Sequence, residues 1–122
     1  MKICFTAKEA HRESELDPRF GRCPYFFLVD SDTNKLEIVE NLNAQKGGGA
    51  GIQAGQLMSD KKIDLVVTGQ VGPNAFDTLN AAGIQIVTGA QGKILEILKQ
   101  YEQGELKNTK QATVDSHFGI KP

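Results

Sequence analysis

Apolar positions along the chain fall into short runs of two kinds. Leu65, Val66 and Val67, and later Ile84, Ile86 and Val87, are nearly continuous, as expected of strands covered on both faces. Between them Ala75, Phe76, Leu79 and Ala82 recur at helical spacing. Pro73 falls where that helix takes its first residue, a place in which its missing N–H has no helical partner to lose. Asp77 is expected in the first turn, where the helix dipole favours negative charge, and Gly83 ends the helix. The stretch 63–89 therefore predicts two parallel strands joined by a helix. Their ends, Thr68-Gly69 and Thr88-Gly89, then lie side by side at the carboxyl edge of the sheet. Open α/β sheets bind ligands at that edge.

The remaining elements follow from the same pattern. Residues 2–6 read as a strand with Ile3 and Phe5 on one face and Cys4 on the other, inside the sheet. Residues 25–30 and 35–40 form a hairpin, since the segment between them is rich in turn formers. Ile52, Leu57 and Met58 predict a helix over 52–62, with Lys61 and Lys62 at its carboxyl end. Ile94, Leu95, Leu98 and Tyr101 predict another over 92–103, stopped by Gly104. Residues 7–24 lack a period and carry four bases and four acids, which predicts a solvated loop. Residues 107–122 are polar and aperiodic, and are expected to be a mobile C-terminal tail. Strands near 2–6, 25–30, 35–40, 63–68 and 84–88 should form one mixed sheet, the second strand antiparallel to its neighbours. Helices on both faces complete a single three-layer α/β domain over residues 1–106.

Composition narrows the function classes. With 122 residues and a net charge of -1, the chain has no global field to recruit nucleic acid or an anionic membrane. It has no apolar stretch of the ~20 residues a membrane span needs, and no signal-peptide pattern precedes the first strand. The expected location is cytoplasmic. Two cysteines, Cys4 and Cys23, form no zinc-type motif and are expected to be free thiols.

Three stretches offer chemistry. Gly47, Gly48, Gly49 and Gly51 lead into a helix, and Gly49, Gly51 and Ala54 match G-x-G-x-x-A. A linker before the glycines, and the lack of an acid ending the next strand, argue against dinucleotide binding. The loop instead admits close backbone approach or closes over another ligand, and its amides suit an anion. Gly69, Gly72, Pro73 and Asn74 form a turn that is not a Walker loop, since no Gly-Lys-Ser/Thr follows. Its free amides face an anion at the sheet edge, or it simply starts a helix. In the third stretch Arg22 adjoins Cys23, and a guanidinium favours thiolate, the form that binds metal. Cys23 is thus expected to be the accessible, reactive thiol and a candidate metal ligand, whereas Cys4 is shielded. His11 and His117 sit in irregular segments and read as surface residues.

Together Phe20-Gly21-Arg22-Cys23-Pro24-Tyr25-Phe26, the 47–51 glycine loop, the run from Val67 to Phe76 and the closing Gly104-Glu105-Leu106 resemble the dinitrogenase iron-molybdenum cofactor biosynthesis family, also called nitrogenase accessory factor-like. The resemblance covers residues 1–106, and its specific part is Thr68-Gly69 followed by Gly72-Pro73-Asn74-Ala75. It implies a ribonuclease H-like topology and a stand-alone carrier or chaperone of iron–sulfur or molybdenum–iron–sulfur clusters, not an enzyme. Cluster-donating or cluster-accepting proteins would be its partners. Gly21, Arg22, Gly69, Gly72, Pro73 and Asn74 carry over as pocket positions. A single thiolate falls short of the four protein ligands usual for such clusters. Tight binding would rest on amides and Arg22 holding the cluster's own sulfides, or on a homodimer supplying a second thiol. The alternative function is an enzyme or binding protein for a phosphorylated or carboxylated metabolite at the same edge. A nuclease is set aside, because the first strand offers Cys4 and Thr6 in place of a metal-binding carboxylate.

Overall fold

The computed structural model describes residues 1–44 and 48–106. Its elements are β1 (Lys2–Ala7), β2 (Tyr25–Asp30), β3 (Lys35–Glu40), α1 (Ala50–Asp60), β4 (Leu65–Val67), α2 (Pro73–Ala81), β5 (Gln85–Val87) and α3 (Ile94–Glu102). All five strands join one sheet in the order β3-β2-β1-β4-β5. β2 is antiparallel to both β1 and β3, while β1, β4 and β5 are parallel. The mixed sheet with its single reversed strand is the one the hydrophobic pattern predicts.

Alternation along each strand sorts the core into two layers. Cys4, Leu28, Val66 and Ile86 point to the face covered by Ala54 and Met58 of α1 and by Ala75 and Leu79 of α2. Ile3, Phe5, Phe27, Val67 and Val87 point to the other face, covered by Ile94 and Ile97 of α3. Phe5 and Phe27 meet there edge to face, ring centres 6.4 Å apart.

Three local expectations are corrected. Two helices are displaced from their predicted bounds, α3 slightly and α1 most clearly, which begins at Ala50 because Gly49 already adopts a left-handed N-cap conformation, whereas α2 starts at Pro73 as predicted. Lys61 is its C-cap, and Lys62 lies beyond it at φ 58°. Asp77 falls outside the first turn of α2, which holds no acid. The largest correction concerns residues 7–24: Lys8 to Glu13 are exposed, as expected of a solvated loop, but 14–23 is packed down. Ser14, Leu16, Asp17, Phe20 and Cys23 are all buried. The segment is stitched over the carboxyl ends of β1 and β4: Asp17 N–H donates to Thr6 O (2.8 Å), Gln70 N–H to Pro18 O (2.7 Å) and Phe20 N–H to Gln70 O (3.2 Å). Leu16 N–H donates to Gly92 O (2.8 Å) and Ile94 N–H to Ser14 O (3.1 Å), so the segment also braces the start of α3. The expected tail over 107–122, His117, Gly47 and linker residues 45 and 46 lie outside the described residues.

Candidate functional site

The carboxyl edge of the parallel strands is closed by hydrogen bonds between the two Thr-Gly ends. Thr68 N–H donates to Val87 O (2.9 Å) and Gly89 N–H to Gly69 O (2.8 Å). Thr6, at the matching end of β1, and Thr68 are both fully buried with their hydroxyls 2.8 Å apart. The Thr6 hydroxyl donates to Asp17 O at 2.6 Å, so the Thr68 hydroxyl must be the donor between the two. The Asp17 carboxylate, nearly fully buried, accepts from Arg19 N–H at 2.9 Å and from Arg19 Nε at 3.4 Å. These groups satisfy one another and hold the 14–23 segment down on the sheet.

Onto this support the fold brings the predicted site residues together. Gly21, at φ 91°, lies so close to α1 that a Cβ there would stand 2.9 Å from Gly51 Cα. A side chain at Gly69 would likewise put its Cβ 2.6 Å from Pro18 Cα, which leaves room for glycine alone. Gly51 in turn faces Ala75 of α2, at 3.0 Å between its would-be Cβ and Ala75 Cβ. Gly21, Gly51 and the turn from Gly69 through Gly72, Pro73 and Asn74 therefore line one rim, and Arg22 follows Gly21 along the chain at its margin. Gly48 and Gly49 enter it through the N-cap of α1, with open space beside both.

What converges on that rim is positive. Neither α1 nor α2 has a side-chain cap, and neither carries an acid in its first turn. The α3 start, by contrast, has Glu96 there. An uncapped helix start presents unpaired N–H groups and the positive end of the macrodipole. Two such starts meet at Gly51 and Ala75, beside the half-buried Arg22, whose Nη1 reaches Ala44 O at 3.4 Å. The arrangement suits a bulky anion held by backbone amides.

Cys23 does not present a thiol to this rim, contrary to expectation. Its side chain is fully buried in the α1/α2 core together with Cys4. Burial, reinforced by the negative charge of Asp17, pushes its pKa up to about 12, against hydrogen bonds from the Gly21, Cys23 and Ala7 backbone that lower it. Burial raises the Cys4 pKa as well. Desolvation thus outweighs the neighbouring guanidinium, and neither thiol is a thiolate at neutral pH. Among the described residues no group of three or more His, Cys, Asp or Glu side chains is placed to hold a metal ion. His11 is exposed, with its Nε2 3.1 Å from Glu9 Oε2.

Two residues at this edge are absent from the sequence reading. Asn41, nearly fully buried, donates from its amide to Gly21 O (3.0 Å) and Cys23 O (2.8 Å). Hairpin register places residue 41 opposite Pro24, so the pairing of β2 with β3 held the signal for it. Gln70, between Gly69 and the start of α2, carries a buried Oε1 without a partner among the described residues. A cavity of about 330 Å³ lies elsewhere, against Lys2, Leu28, Asp30 and Glu37 near the opposite end of the sheet. Its charges are largely engaged locally: Lys61 pairs with Glu37 at 3.1 Å and Lys2 Nζ donates to Lys61 O at 3.0 Å. No helix among the described residues is long and apolar enough to cross a membrane.

Comparison with known proteins agrees with this architecture. A family model described as dinitrogenase iron-molybdenum cofactor matches residues 1–104. The apo form of the orange protein from Desulfovibrio gigas superposes with a TM-score of 0.89 and 31% identity, over 93% of this chain and 96% of that one. A Thermotoga protein described as a candidate NifB protein superposes with a TM-score of 0.82 and 27% identity, over 93% and 97%. An uncharacterised protein of Methanocaldococcus jannaschii is 26% identical over 97 residues, 77% of this chain and 82% of its own length.

Proposed function

Because the chain belongs to the dinitrogenase iron-molybdenum cofactor family, we propose that it binds a sulfide-rich metal cluster, of iron–sulfur or molybdenum–iron–sulfur type, as anionic cargo. It delivers that cargo during metallocluster assembly, as a cytoplasmic carrier and not an enzyme, between cluster-donating and cluster-accepting proteins. The strand order β3-β2-β1-β4-β5, with β2 reversed, supports the ribonuclease H-like topology that belongs to the same reading. The observation that supports the proposal is the meeting of two uncapped, acid-free helix starts beside Arg22. The cluster's own sulfides would accept from the amides of α1 and α2 and from the guanidinium of Arg22, charge-assisted bonds that need no thiolate. This mode removes the reason for expecting a homodimer, which was to supply a second thiol.

The test is anaerobic incubation with tetrathiomolybdate, and separately with iron and sulfide, followed by gel filtration and visible absorption of the protein fraction. The parent chain is expected to retain a chromophore, and so are Cys4→Ala and Cys23→Ala. Arg22→Met should bind roughly tenfold or more weakly, the order of one hydrogen bond to a charged group. Loss of the chromophore in Cys23→Ala alone would restore thiolate ligation. A colourless parent that is stabilised by a small phosphate or carboxylate would favour the metabolite-binding alternative.

A further inference from the structure

We infer that Asn41 is the positioning residue of this site. It sets both the backbone that carries Arg22 and the carbonyl against which the guanidinium lies. Only a planar side-chain amide offers two N–H donors and an acceptor in one rigid group, and Asn41 uses all three. The two donors take Gly21 O (3.0 Å) and Cys23 O (2.8 Å), one carbonyl on each side of Arg22. On the amide side the same turn is closed by Arg22 N–H and Cys23 N–H, which both donate to Arg19 O (3.2 and 3.0 Å). Arg22 is therefore held from both directions. The Asn41 acceptor takes Asn43 N–H (3.1 Å), and the Asn41 carbonyl takes Ala44 N–H (3.4 Å). That second turn presents Ala44 O, which accepts from Arg22 Nη1. The Asn41 N–H donates to Pro24 O (2.9 Å), anchoring the whole group to the end of the β2–β3 hairpin. One buried amide thus fixes where the cation stands relative to the α1 start at Gly51, whose Cα Gly21 closely approaches.

The inference rests on the anion-binding reading for its ligand arm and stands without it for its structural arm. The ligand arm is a double-mutant cycle with tetrathiomolybdate. Asn41→Ala and Arg22→Met should each weaken binding, Asn41→Ala by roughly the same tenfold, because an unplaced guanidinium makes no charge-assisted contact. In the Arg22→Met background Asn41→Ala should change affinity no further, although it lowers stability in both backgrounds. An equal loss of affinity in both backgrounds would overturn the inference, since Asn41 would then act through the amides and not through Arg22. Unchanged affinity in a folded Asn41→Ala chain overturns it as well. The structural arm is trypsin cleavage with fragment masses. The parent should resist cutting at Arg22–Cys23, whereas Asn41→Ala and Asn41→Asp, which retains the shape but not the donors, should be cut there. Resistance in both variants would overturn the inference even if no cluster binds, whereas cleavage together with a parent that binds no tetrathiomolybdate would sink only the cluster-binding reading.

Discussion

Cys23 stands between Arg22 and Pro24, a setting that at the level of neighbours favours thiolate. Its side chain nevertheless lies in the core, and a buried thiol loses more by desolvation than an adjacent cation returns. The consequence is measurable in stability. Above about pH 9 the unfolded chain loses the thiol proton, while the folded chain keeps it until about 12. The folded state then binds more protons, so stability falls as pH rises through that window. The slope reaches up to about 1.4 kcal/mol per pH unit for each buried thiol. Cys4, raised by burial as well, adds to the same alkaline limb. Urea midpoints followed from neutral to alkaline pH should show the limb, and Cys23→Ala should flatten it by one thiol's share. An unchanged slope would mean that the thiol titrates near its ordinary value in the folded chain. Iodoacetamide should leave both thiols of the native chain unmodified at neutral pH.

At the scale of elements, two helices make the rim, and they can do so because glycine lets them touch. Gly51 packs on Ala75, and Gly55 packs on Thr78 so closely that a Cβ would stand 2.7 Å from Thr78 Cγ2. This contact brings the starts of α1 and α2 side by side, and each remains uncapped. A helix start without a cap forgoes stabilisation, which makes a specific substitution informative. Gly72, the N-cap of α2, has φ −80° and ψ 170°, an extended conformation open to any residue. Gly72→Asp should therefore stabilise α2 by a few tenths of a kcal/mol, as aspartate caps slightly better than glycine. It also sets a carboxylate against the amides, so tetrathiomolybdate affinity should fall by roughly tenfold or more through repulsion and loss of donors. Thermal melting and absorption titration together check this. Raised or equal melting temperature with unchanged affinity would assign the turn a purely structural role.

For the molecule as a whole, the two core layers serve different ends. The α3 layer contains Phe5, Phe27, Ile94 and Ile97, and none of its buried members is a residue of the rim. The α1/α2 layer contains Phe20, Cys23, Val71 and Ala75, which come from the rim segments themselves. Phe27→Ala should cost about 3–5 kcal/mol, the usual range for a buried phenylalanine. That is a large fraction of the roughly 5–15 kcal/mol available to a domain. Denaturant unfolding should show the loss, with tetrathiomolybdate affinity of the folded fraction unaltered, because Phe27 faces away from α1 and α2. A matching loss of affinity would mean that the two layers are coupled through the sheet.

Legibility in the sequence ended where local pattern ended. The five strands, the reversed second strand, the covered β4 and β5 and the helix begun by Pro73 follow from periodicity and turn chemistry, which are properties of neighbours along the chain. The Gly69–Asn74 turn and the glycines before α1 stand out in the same local way, whereas Gly21 and Arg22 enter as pocket positions through the family resemblance. Residues 7–24 show the other case. Their charges follow no period, and only the pairing of Asp17 with Thr6 and of Gln70 with Pro18 makes the part from Ser14 to Cys23 a strap packed on the sheet, while 8–13 stay exposed. Cys23 followed that strap into the core, and Asn41 acquired its role from the carbonyls of a loop about twenty residues away. Adjacent charge can be read from a sequence. Desolvation and the satisfaction of a buried amide depend on which distant atoms surround a group, and the packed chain alone decides that.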